Sequence, residues 1–151
     1  MSRESRIMTA SAEKVQTLIN HYEAFGWELL SINGTQVTMS RETQNPVYTE
    51  LVKHQAAYEG KMAEYQAMTP PTPPQKPAKV SLKTCFWLFI LLIFPMVIYL
   101  TVKHKQNEAY KLGMAAYESA LAEYNAKKEA LLNEMEAIVL ESRGIFFGRQ
   151  N

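Results

Sequence analysis

With 151 residues and a formal net charge of +1, the chain has room for one ordinary domain, or for a small domain with helical appendages and a membrane anchor. The charge balance offers no basic excess for nucleic acid, and all 15 acids are Glu. Lacking Asp, the sequence excludes Ser-His-Asp triads, aspartyl-phosphate sites and EF-hand loops, while the lone Cys85 excludes an intrachain disulfide and a zinc-type Cys pair.

Residues 1–45 read as a small α+β domain. Val15, Leu18, Ile19, Tyr22 and Phe25 recur at helical spacing, so a helix is expected from Ala12 to Phe25, capped by Ser11 and ended by a left-handed Gly26. Asn33-Gly34 is the favoured type I′ pair and predicts a hairpin between Trp27–Ile32 and Thr35–Arg41. With Ile32 opposite Thr35, residues Leu30, Ile32, Val37 and Met39 share the face that packs on the helix. The other face then carries Trp27 and Leu29. It is either a candidate partner face or is covered from within the chain, by a first strand near Arg6 to Thr9 or by the apolar tail Ile145 to Phe147.

The run Phe25-Gly26-Trp27-Glu28-Leu29-Leu30-Ser31-Ile32, closing an amphipathic helix and opening a hairpin, resembles a family of small uncharacterised bacterial domains with a Gly-Trp-Glu-Leu strand. The likeness covers about a quarter of the chain. It implies a compact α+β unit and a bacterial source, and implies no reaction or ligand.

Spacings of three and four predict two coiled-coil helices, at 46–68 and 103–143. The first has a seam through Tyr58, Met62 and Tyr65, and the second has one through Tyr117, Leu121 and Tyr124. Ala56 to Ala67 and Ala115 to Ala126 are also alike, as AAYEGKMAEYQA and AAYESALAEYNA. The repeat reflects either shared surface-helix composition or two equivalent strands of one coiled coil. Between the helices, the Pro-rich segment 69–83 is expected to be an extended spacer, with a ligand for proline-reading domains as the alternative.

Residues 84–102 form an uncharged apolar run whose core is Cys85, Phe86, Trp87, Leu88, Phe89, Ile90, Leu91, Leu92, Ile93, Phe94, Pro95, Met96, Val97, Ile98, Tyr99 and Leu100. As a helix its 19 residues would cover about 28 Å, against a hydrocarbon core of roughly 30 Å. Two forms are open: a single span kinked at Pro95, or a re-entrant hairpin turning at Phe94 and Pro95. Lys76, Lys79 and Lys83 before the run match Lys103, Lys105 and Lys111 after it, so the positive-inside count is tied, as expected when both flanks face the cytoplasm. In the hairpin form the two coiled-coil helices can pair antiparallel within one chain; in the spanning form each needs a second copy. No secretory signal peptide is expected, because the first 30 residues contain no continuous apolar region.

No GxGxxG, P-loop or nucleophile elbow occurs, and His21, His54 and His104 are too scattered for a metal site. No cofactor, metal or nucleic acid is expected, and no enzymatic activity. The sequence points to a scaffold or interaction protein on the bacterial plasma membrane, its N-terminal domain in the cytoplasm, bound to the bilayer and to a protein partner or itself. The alternatives are a structural subunit of a larger membrane assembly, a small oligomeric membrane-permeabilising protein and, most distantly, an enzyme that uses Glu residues.

Overall fold

The structure, a computed structural model, describes residues 2–91 and 93–148. Leu92, inside the expected membrane segment, and residues 149–151 of the expected apolar tail lie outside the described residues. The fold is mixed α+β, with strands β1 (Arg3–Thr9), β2 (Trp27–Asn33) and β3 (Gln36–Glu42) and helices α1 (Val15–Glu23), α2 (Tyr48–Ala67), α3 (Leu82–Leu91) and α4 (Ile93–Gly148). The chain divides into two compact units, one of residues 1–68 with 128–151 and one of residues 69–127. The expected domain of residues 1–45 shares its unit with α2 and the end of α4.

In that unit α1 is preceded by a 3₁₀ turn at Ala12–Lys14. Ser11 caps it through its backbone carbonyl, which accepts from Lys14 N at 2.8 Å and Val15 N at 3.1 Å, and not through its side chain. At the other end three i→i−3 bonds, from Ala24, Phe25 and Gly26, tighten the last turn, and Gly26 adopts φ +80°. A side chain there would be doubly opposed, because a Cβ would lie 3.1 Å from Leu51 Cδ1 and 3.3 Å from the Phe146 ring.

The sheet is antiparallel in the order β1-β3-β2. The hairpin forms where expected, but with its turn one residue further on: Asn33 pairs with Gln36, Ile32 with Val37 and not Thr35, and the turning pair is Gly34-Thr35. Only Gly34 has positive φ, +60°, as a type II′ turn requires and a type I′ turn on Asn33-Gly34 does not. An irregularity between Leu29 and Ser31 then reverses the facing of the residues before it, pairing Leu29 with Met39 and Trp27 with Arg41. Trp27, Leu29, Ile32, Val37 and Met39 consequently share a face, and Leu30 leaves the ladder exposed. This corrects the expected partner face, since Trp27 is only 5% exposed and belongs to the core, while Leu29 remains 41% exposed at the sheet edge.

The core joins Met8, Val37, Met39 and Trp27 of the sheet to Ile19 and Tyr22 of α1, Phe25, Tyr58 of α2, and Met135 and Val139 of α4. α2 and the C-terminal part of α4 run antiparallel: His54 Nδ1 lies 3.2 Å from Ser142 Oγ, Lys61 Nζ pairs with Glu134 at 2.8 Å, and Lys128 Nζ stands 6.0 Å over the Tyr65 ring. The first repeat copy thus packs against the stretch of α4 that follows Lys127. α4 runs past the expected end at residue 143 and continues to Gly148, with Ile145 and Phe146 half-buried.

Candidate functional site

Two features of the chain could carry function, a polar network in the first unit and the apolar segment in the second. The network begins at Glu59, whose Oε1 accepts from Arg6 at 2.5 Å, Tyr22 OH at 2.9 Å and Gln55 Nε2 at 2.9 Å. Burial alone would push this carboxyl up. The three hydrogen bonds and the Arg6 charge outweigh it and hold the pKa below its usual 4.5. Gln55 Oε1 in turn accepts from Trp27 Nε1 at 2.9 Å and Arg41 Nη1 at 3.0 Å.

The buried Arg41 guanidinium lies between the Trp27 and Tyr48 rings, 4.5 and 4.9 Å from their centroids, and pairs with Glu4. Its Nη1 also donates to Phe25 O at 3.1 Å. His21 Nδ1 lies 2.7 Å from Tyr58 OH, and burial, helped by the charge of Arg143, lowers its pKa below 6.5 against a weaker opposing pull from Glu136. Tyr22 is pushed up, by burial first and then by its hydrogen bond to Glu59. Each of these charged groups already has a partner, so the network clamps α2 onto α1 and the sheet. Among the described residues no group of three or more His, Cys or Glu could hold a metal ion.

The apolar segment is built differently. Residues 84–102 are divided between α3, ten residues long, and the start of α4, and among the described residues no helix is long and apolar enough to cross a membrane. The chain returns at Tyr99 to where it left at Ser81: Ser81 N donates to Tyr99 OH at 3.3 Å, and Lys103 Nζ donates to Ala78 O at 3.2 Å. Ten helical residues rise about 15 Å, half of a hydrocarbon core. Phe94 and Pro95, where the turn was expected, lie within α4.

Phe86, Trp87, Phe89 and Ile90 on α3 and Val97, Ile98 and Leu100 on α4 are exposed. A shallow hollow of about 570 Å³ is lined by Leu82, Lys83, Cys85, Phe86, Trp87 and Phe89, all from α3, and so is a groove between side chains of one helix. The linker is not a free spacer: residues 69–81 take neither helix nor strand, and Pro71, Pro74 and Pro77 are half-buried at the three-residue period of a polyproline helix. A Cβ on Gly113 would lie 3.4 Å from Pro74 Cβ. Along the same stretch of α4, the seam residues Tyr117, Leu121 and Tyr124 are half-buried.

Of the residues singled out from sequence, Tyr58, Met62 and Tyr65 come together with the core of the first unit, while Tyr117, Leu121 and Tyr124 lie in the second. The network around Glu59 and Arg41 was not anticipated. A signal existed in Arg6 and Arg41, cations set in strands that needed buried partners. Comparison with protein families, with curated proteins and with solved structures finds no match.

Proposed function

We propose that the chain is a membrane-anchored interaction protein whose apolar segment dips into one leaflet and returns, displaying a folded α+β unit on the side it came from. One observation carries this reading: the polypeptide before the apolar segment and the polypeptide after it fold together. His54 meets Ser142, Lys61 meets Glu134, and Met135 and Val139 share a core with Val37 and Tyr58. A single span would put these partners on opposite sides of the bilayer and break the unit. The return of Tyr99 to Ser81 supports the same topology from within the segment.

An apolar run of this composition in water would leave a large contiguous hydrophobic patch, which is the reason for assigning it to lipid. Lysines on both flanks favour the cytoplasmic face, and the likeness of Phe25–Ile32 to small bacterial domains supports a bacterial plasma membrane. For the partner, the edge strand β2 offers unpaired backbone groups beside the exposed Leu29, Leu30 and Ile32.

Topology is tested by placing single cysteines at Ser2, Gln75 and Gln106 in a Cys85→Ser chain and labelling intact cells with a membrane-impermeant maleimide. All three are expected on one side. Gln75 and Gln106 on opposite sides would overturn the proposal.

A further inference from the structure

We infer that the base of the apolar hairpin binds anionic lipid headgroups through Lys76, Lys79, Lys83, Lys103 and Lys105, a site that rests on the one-sided topology proposed above. These five lysines are the only charged residues from Thr69 to Asn107 apart from His104, and the stretch contains no acid. In sequence they form two groups separated by the apolar run. In the structure the groups are drawn together, because Lys103 Nζ donates to the carbonyl of Ala78, between Lys76 and Lys79, and Tyr99 is tied to Ser81, two residues before Lys83. A spanning helix would send the same lysines to opposite membrane surfaces.

None of the five has a carboxylate within ion-pair distance among the described residues, and the nearest following acid, Glu108, pairs with His104 at 3.3 Å. Four of them are exposed and Lys103 is half-buried, its Nζ 6.0 Å over the Tyr99 ring. An amphipathic ring at the border of an apolar run belongs at the headgroup level, and lysine stems lying along that border carry their ammonium groups out to the phosphates. The arrangement gathers cations at one depth beside a lipid-seeking surface, so the ligand that fits is an anionic bilayer surface and not a soluble anion. Lysines so placed each favour an anionic surface by about fivefold in partitioning, less where neighbours screen one another.

The experiment uses the full chain transferred from detergent into vesicles of phosphatidylcholine alone or of phosphatidylcholine with phosphatidylglycerol, with flotation as the readout. The expected result is flotation with both, at least about tenfold stronger for the anionic vesicles, the preference vanishing in about 1 M salt, where the Debye length is about 3 Å. The quintuple variant Lys76→Gln, Lys79→Gln, Lys83→Gln, Lys103→Gln, Lys105→Gln should lose the preference and still float with both. A Lys111→Gln, Lys127→Gln control, outside the gathered group, should keep it. Equal partition of the unaltered chain into the two vesicle types, or a preference that survives the quintuple substitution, would overturn the lysine site and leave the anchor standing. Failure to float with either would overturn the anchor itself.

Discussion

Gly26 is the residue on which the first unit closes. A β-carbon there meets both the left-handed backbone penalty of about 1–2 kcal/mol and the Leu51 and Phe146 side chains at 3.1 and 3.3 Å. Gly26→Ala should therefore lower stability by at least about 2 kcal/mol in denaturant melts, whereas Gly34→Ala, with nothing within 4 Å, should lose only the backbone share. His21 makes stability depend on pH. Its unfolded imidazole titrates near 6.5 and its folded one lower, so above 6.5 both are neutral and stability is full. As pH falls below 6.5 the unfolded chain takes the proton first and the fold loses ground. In His21→Gln that decline should begin only near pH 4.5, where Glu59, held low in the fold, starts to be protonated in the unfolded chain. Melting temperature against pH for the two proteins checks this.

At the scale of elements, long periodic segments were legible in the sequence and pairings were not. The spacing of Val15 to Phe25 and of Tyr48 to Tyr65 marks α1 and α2 within a few residues, because one apolar stripe on a helix leaves little choice. β1 carries only Ile7 and Met8 as large apolar residues, so its pattern is faint. It forms because β3 has an open edge and Arg6 can reach Glu59. The hairpin was found but its turn was expected one residue early, since Asn-Gly favours type I′ turns while Gly34-Thr35 satisfies type II′ equally well; the irregularity between Leu29 and Ser31, which no residue pattern announces, moved Trp27 from the outer face to the core. Nor does an uninterrupted apolar run encode whether it spans or folds back. The linker is a further example: five prolines predict stiffness, but only Gly113 shows where the chain can lie close. Gly113→Leu should lift it from α4 and speed tryptic cleavage after Lys79 several-fold. Gly113→Ala, whose added methyl would sit at ordinary contact distance, should leave the rate unchanged.

For the molecule as a whole, the division into units does not follow chain order. Residues 1–68 and 128–151 enclose one core, so the first unit is incomplete without the last turns of α4. A chain ending at Lys127 would lack Leu131, Met135 and Val139, each buried in the intact fold, and would expose Tyr58 and Val37. Deleting three buried aliphatic side chains costs several kcal/mol, on the order of the whole stability of a small domain. The truncated chain should therefore show no cooperative melt by circular dichroism, and a cooperative melt equal to that of the full chain would refute the shared core.

The interrupted core also has a consequence for biosynthesis. A ribosome delivers residues 1–68 first, then the greasy loop, and only after both the segment from Lys128 that seals the core. Until that segment emerges, the N-terminal portion waits half-assembled while the hydrophobic loop is already outside the exit tunnel. On the topology proposed above, the loop is therefore open to lipid before the fold is complete. Slowing late elongation should lengthen a window in which nascent chains are protease-sensitive yet already attached to membranes.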